Sequence, residues 1–359
     1  MTQFSIIFLL ILCADSGLKL WLNLRQKHAI HKSFNQVPVP FDQHITLKEH
    51  QKAARYNLAK LTENRYELAY SALLVLIFTL GGGIDWIAQS FNLANYPLTS
   101  EVLLIVIYTL FNSLLVLPFS YYSTFKIEQR FCFNNTTLKL FIVDLIKGTL
   151  LGLVIGVPLL YLVMWLMNNL GNQWWLWVWG VLVVFNLLIL IIYPTFIAPL
   201  FNKFTPLEDL ELKAKIEQLL TTCGFKSQGV FVMDGSKRSS HGNAYFTGLG
   251  ASKRIVFFDT LLKQLTQEEI IAVLAHELGH FKHKHILKQM IISFGITLLG
   301  LYIFSLLINQ VWFYAGLHVS QISNASGLLL LFILTGLISL PLAPLSSFMS
   351  RKNEFEADD

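Results

Sequence analysis

His276 and His280 stand four residues apart with Glu277 between them, in the run His276, Glu277, Leu278, Gly279, His280. On a helix, residues at i and i+4 lie one above the other, so both imidazoles can reach a single Zn²⁺ at about 2.0–2.1 Å. Glu277 falls beside them, placed to handle a proton. Zinc lowers the pKa of its bound water to about 7, and a carboxylate within hydrogen-bond reach can take that proton as the hydroxide attacks a carbonyl. The expected chemistry is peptide hydrolysis with Glu277 as the general base. Two histidines satisfied in a packed helix without a metal are the plainer alternative.

A helix has to carry these side chains. Thr266, Gln267, Glu268 and Glu269 read as a capping box, which predicts a helix beginning at Gln267 with Ile270, Ile271, Val273, Leu274 and Leu278 on its buried face. The residues before it, within 201–285, have the pattern of a small α/β unit. A helix is expected near Leu207 to Cys223, then strands at Val230 to Met233, Ala244 to Gly248 and Arg254 to Phe258. The edge of a short sheet beside a metalloprotease helix can hold an extended peptide by main-chain hydrogen bonds. Asn243, Ala244 and Tyr245 are the candidates for that substrate-binding edge; a sheet that only packs the helix in place is the alternative.

Zinc hydrolases usually take three protein ligands and leave one position for water. A third histidine six residues after the second is excluded, because that position is Ile286 and His283 stands where the same arrangement needs glycine. His283 and His285 remain nearby, yet histidines so soon after a metal helix more often meet solvent or headgroups. The better candidates lie far along the chain, where Glu354 and Asp358 share a helix face and Glu356 turns away. One of the pair can coordinate zinc while the other accepts an imidazole N–H from behind. Ordinary solvated charges are again the plainer reading.

The composition sets these residues in a membrane. Of 359 residues, 54% are hydrophobic and only 14% charged, and the mean hydropathy of +0.55 lies outside the range of soluble domains. Stretches long enough to cross about 30 Å of hydrocarbon fall near 4–24, 68–90, 101–123, 148–168, 174–199, 286–308 and 327–349, which predicts seven spans. The first has no Lys or Arg among Met1 to Ser5 and no small-residue cleavage site after it, so it is expected to stay in the mature protein. Asp15 and Lys19 within it can pair four apart on one face. The connections near 91–100, 169–173 and 309–326 contain no Lys or Arg, whereas the other loops hold nearly all of the 27. The positive-inside rule then places the zinc helix in the cytoplasm and the amino terminus outside or in a lumen. A net charge of +5 reflects that bias, and no nucleic-acid partner is needed to account for it. Cys13, Cys132 and Cys223 lack paired or metal spacing and are expected to be free thiols.

The residues then become familiar. The stretches Tyr193 to Leu207, Met233 to Leu249 and Lys253 to Leu262 resemble the integral-membrane CAAX prenyl endopeptidase family, type I zinc proteases of the gluzincin group. The run Ile127, Glu128, Gln129, Arg130, Phe131 followed by Phe133, Asn134 and Thr136 resembles that family's connection between its third and fourth spans. The likeness covers nearly the whole chain. It implies His276, His280 and Glu354 as zinc ligands, Glu277 as general base and Asp358 as a supporting acid. It implies an all-α membrane protein, seven helices around an intramembrane chamber, with a small cytoplasmic α/β insert carrying the zinc site. The domains expected are membrane helices over 1–200 with a cytoplasmic helical loop at 25–67, the protease insert at 201–285, two further spans over 286–350, and the start of the third-ligand helix at 351–359. Family substrates are prenylated proteins from which the last three residues are removed, and either a bacterial inner membrane or the endoplasmic reticulum would suit the chain. Two other readings are an HtpX-like quality-control protease and a non-catalytic protein that binds lipidated peptides. The family continues past the acidic motif into a tail with a His and an Arg, whereas this sequence stops at Asp359. The expectation is therefore a partial product of reduced activity, with the third-ligand helix short of a packing partner.

Overall fold

The computed structural model describes residues 1–91, 97–225, 227–247 and 253–358. Long apolar helices dominate it: α1 (Gln3–Ser33), α2 (Leu47–Phe78), α3 (Gly83–Ser90), α4 (Pro97–Tyr122), α5 (Leu138–Asn169) and α6 (Trp174–Ile192). Five helices among the described residues are long and apolar enough to cross a bilayer, and two bent pairs bring the number to seven. Many of their large apolar side chains are exposed, as Val154, Val184 and Ile291 are at 70%, 65% and 62%. A chain in water would bury such residues; in hydrocarbon they are the natural outer surface. Asp15 and Lys19 pair at 2.8 Å on α1, as their spacing predicts.

The second and seventh expected spans are broken. Between α2 and α3 the axis bends by 57°, at Gly81, Gly82 and Gly83. Gly82 takes φ +73°, and a Cβ on Gly81 would sit 2.7 Å from the Ile77 carbonyl oxygen, so the turn requires glycine.

The described contacts group into two compact units. One is made of residues 1–132, 151–172 and 303–342, the other of 133–150, 173–302 and 343–359. In the first, α1 lies against α2, where Asn23 donates to the Leu61 carbonyl at 2.9 Å.

The second unit holds the expected α/β region. After α6 come β1 (Phe204–Pro206), α7 (Leu210–Thr222), β2 (Val230–Met233), β3 (Ala244–Thr247) and β4 (Arg254–Phe258), then α8 (Asp259–Gln264), α9 (Gln267–Lys282) and α10 (His285–Leu307). The sheet order is β1-β2-β4-β3, with β2 and β4 parallel and the outer pairs antiparallel. Strands β2 and β4 fall where the pattern places them. The third is seen over Ala244–Thr247, and Gly248, where the pattern ends it, lies outside the described residues. β1, three residues long and ending in proline, carries too little alternation to be read from sequence. α7 starts at Leu210 because the Asp209 side chain accepts from the Leu212 N–H at 3.0 Å, leaving Leu207 to the core.

Two parallel series fasten this layer. Leu212, Ile216 and Leu220 of α7, and Ile270, Leu274 and Leu278 of α9, each recur every fourth residue and meet Val230, Ile255 and Phe257 of the sheet. With that stripe fixed inward, His276 and His280 face the other way.

Arg238 ties the turn after β2 to the rest of the unit. Its guanidinium grips Asp144 on α5 at 2.8 and 3.0 Å and donates to Asn202 Oδ1 at 2.6 Å and to the Phe201 carbonyl at 2.8 Å. Bidentate geometry of this kind is beyond lysine's reach. Replacing Arg238 by Met leaves a half-buried carboxylate and two oxygens without donors, and should cost roughly 2–3 kcal/mol. Thermal unfolding in detergent checks this, with Arg238→Lys recovering little; an unmoved midpoint would show the network to be ornamental.

Candidate metal centre

After α10 the chain passes through α11 (Val311–Gly316) and α12 (Asn324–Ile338) to α13 (Ala343–Asp358). α9 begins where expected: Thr266 accepts from the Glu269 N–H, and the Glu269 carboxylate reaches back to the Thr266 N–H at 2.8 Å. α13 lies against α9. Contact is closest at Gly279, where a Cβ would stand 2.4 Å from the Ala357 carbonyl oxygen and 2.8 Å from its Cα. The glycine of the His-Glu-Leu-Gly-His run is thus the notch that admits the last turns of α13. The third-ligand helix, expected to lack a packing partner, has one in the metal helix itself.

That approach brings three donor atoms together. His276 Nε2 and His280 Nε2 are 3.2 Å apart, and Glu354 Oε2 lies 3.3 Å from the first and 3.4 Å from the second. A tetrahedral ion with bonds of about 2.0–2.1 Å spaces its ligands by about 3.3 Å, so the triangle is of the size and donor chemistry that zinc takes. Glu277, on the turn between the two imidazoles, is half-buried.

Behind the triangle each ring has a partner on its far side. His276 Nδ1 meets Asp358 Oδ1 at 2.7 Å. His280 Nδ1 meets His285 Nδ1 at 3.0 Å, and His285 Nε2 meets Glu356 Oε2 at 3.0 Å. Expected at solvent or headgroups, His285 is instead only 4% exposed, and Glu356, turned from the Glu354 face, is its acceptor. Helical spacing alone cannot show this. On an unbroken helix His285 would point about 140° away from His280, but the helix stops at Lys282, Lys284 takes φ +56°, and the chain restarts at His285 facing back. Lys284 carries no turn signal that announces it.

Of the proposed substrate edge, Ala244 and Tyr245 lie on β3, the outermost strand, which pairs only with β4 among the described residues. Asn243 just precedes it, with its carbonyl accepting from the Phe258 N–H at 2.9 Å. Burial pushes the Tyr245 phenol up to about 12, helped by the nearby Tyr193, so it stays protonated at any physiological pH. Phe246 and Thr247, further along β3, line with His276 and His280 a cleft of about 1190 Å³. The edge strand and the imidazoles therefore border one space.

Two family models divide the chain between them. The model of the CAAX prenyl protease N-terminal region, with five membrane helices, matches residues 26–203, and that of peptidase family M48 matches 206–359. A CAAX prenyl protease 1 homolog of Dictyostelium discoideum is 38% identical across all of this chain and 86% of its own length. The chain belongs to peptidase family M48. The human CAAX prenyl protease 1 homolog is 32% identical over 93% of this chain and 80% of its own. The crystal structure of S. mikatae Ste24p superposes with a TM-score of 0.92 at 33% identity, covering all of this chain and 87% of the other. The protein is thus a multi-pass integral-membrane metalloprotease whose substrate is a peptide or protein.

A methyl group at the notch tests how tightly α13 depends on it. Gly279→Ala should leave the apolar core of the unit intact and push the two helices apart, costing about 1–3 kcal/mol locally. Faster hydrogen–deuterium exchange confined to 343–358 is the expected result, and unchanged exchange there would show that α13 is held by something else.

Proposed function

We propose that the protein is a zinc endopeptidase in which His276, His280 and Glu354 hold one Zn²⁺ and Glu277 is the general base. The near-equilateral triangle of donor atoms carries this reading. Zinc bound there would supply a water of lowered pKa and a Lewis acid for the scissile carbonyl. Glu277 takes the proton of the attacking water and returns it to the departing amine, a role worth about 10²–10⁴-fold in rate. Asp358 and His285 would each accept a hydrogen bond from the Nδ1–H of a ligand imidazole, which fixes that ring's tautomer and leaves Nε2 free to bind metal. Glu356 holds His285 in the accepting tautomer by accepting a hydrogen bond from its Nε2–H.

The substrate we propose is a prenylated protein ending in cysteine, two aliphatic residues and one variable residue, cut before its last three. The names of the relatives and the membrane setting of the site support it. Asn243, Ala244 and Tyr245 would form the outer edge along which the peptide backbone is aligned across the cleft, with Ala244 the residue whose carbonyl points away from β4. The Lys and Arg bias supports a cytoplasmic site and an outer or lumenal amino terminus. The apolar stretches support membrane segments over 1–200 and 286–350 flanking a protease unit at 201–285, the ligand-bearing residues from 351 being the last part of α13.

Mass spectrometry of products from a farnesylated peptide and its unmodified counterpart tests the substrate. Release of an intact carboxyl-terminal tripeptide from the farnesylated peptide, at least several-fold faster, is expected; equal cleavage of both would favour a quality-control role. Glu277→Gln should lower either activity about 10²–10⁴-fold at undiminished zinc content. Full activity in that variant would remove Glu277 from the mechanism.

A further inference from the structure

A second group of ligand atoms sits directly behind the first. One donor each from His283, His285 and Glu356 lies within 4.8 Å of the others. The His283 and His285 rings are stacked with centroids 5.6 Å apart and planes 16° from parallel. His285 Nε2 and Glu356 Oε2, 3.0 Å apart, already have nearly the spacing of two ligands on one tetrahedral ion. Two imidazoles and a carboxylate form a donor set that suits zinc and other divalent transition metals. Resting on the zinc reading above, we propose that these three residues form a second, inhibitory divalent-metal site, loaded when zinc is in excess.

Inhibition follows from one shared proton. With the first site filled, His280 gives its Nε2 lone pair to the metal and keeps its proton on Nδ1, aimed at His285 Nδ1. His285 therefore accepts on Nδ1 and carries its own proton on Nε2, donated to Glu356. A second ion on His285 Nε2 needs the lone pair there, so the one proton of the neutral ring must pass from Nε2, by way of water, to Nδ1, with no net loss of a proton. In that tautomer the proton on His285 Nδ1 meets the Nδ1–H of His280 across 3.0 Å. Two donors face each other, the hydrogen bond is lost, and His280 loses its support. The two ions thus oppose one another.

The second site is the weaker. Its atoms are less closely gathered than the first triangle, and Glu356 also faces Lys352 Nζ at 3.6 Å and Lys288 Nζ at 4.0 Å, which compete for the carboxylate. Removing a partner behind a metal ligand typically costs 10–100-fold, so loading the site should lower cleavage by about 10-fold or more.

His283 belongs to this second group alone, which makes it the point of test. Zinc stoichiometry by chelator competition on the full chain in detergent, alongside peptide cleavage across the same zinc range, reads both effects. Wild type should take a tight equivalent and then a weaker one, losing activity as the weaker one binds. His283→Ala should take only the tight equivalent, cleave as fast as wild type at low zinc, and resist the excess. His283→Asn, similar in shape and hydrogen bonding, serves if the alanine variant unfolds. A wild type that takes one equivalent at inhibitory zinc, or variants that keep the weaker equivalent or the inhibition, would overturn the proposal. His276→Ala separates the two readings: a tight equivalent surviving there condemns the catalytic ligand set, while the His283 comparison is still read on the weaker one.

Discussion

The site depends on the contact between Gly279 and Ala357. Two histidines on one helix offer two donors; the third donor of the proposed site, Glu354, stands 74 residues after His280 on another helix. The Cβ of any other residue at 279 would occupy the place of the Ala357 carbonyl. The glycine is therefore no spacer between functional positions. By letting the two backbones nearly touch, it brings Glu354 Oε2 within 3.4 Å of both Nε2 atoms. The same contact brings Asp358, one turn beyond Glu354, behind His276, and Glu356, on another face, to His285.

The orientation of α9 makes this contact possible. Its apolar residues repeat every four positions and are held by a matching series on α7 and by the sheet between. Burial of side chains such as Leu274 and Leu278 is worth roughly 1.5–3 kcal/mol each, enough to fix the helix's rotation against the pull of two polar rings. Histidines two and six positions after Leu274 are then forced outward as a pair. Hydrophobic periodicity sets the direction of the ligands, and the glycine notch sets their distance from the acid.

How much of this can be read in the sequence follows from the range of each interaction. The capping box at Thr266, the core stripe of α9 and strands β2 and β4 are local, and their patterns predict them within a residue or so. The lipid-facing helices are legible because about 20 apolar residues in a row match the thickness of a bilayer and far exceed what a soluble core helix buries. The two bends within spans escape that reading, since hydropathy averages over a break; only the three consecutive glycines at 81–83 hint at the first. β1 is too short to show a period. His285 and Glu356 are hidden on different grounds. Their meeting depends on a lysine in a left-handed conformation and on two helices far apart in sequence, and no local pattern encodes either.

The order in which the site's groups are fixed has a consequence for its electrostatics. Each imidazole of the proposed site has a partner behind it, Asp358 for His276, and His285 with Glu356 beyond it for His280. The two routes differ in kind. A carboxylate beside an imidazole N–H adds negative charge next to the ligand and raises its basicity, whereas a neutral histidine in between places that charge one ring further away. Coulomb energy falls with distance, so in the proposed site the carboxylate charge would act more directly on His276 than on His280. A helix break at Lys284 is what inserts the extra ring. Without it, α9 would run on and His280 would present its Nδ1–H to whatever solvent or lipid lay alongside.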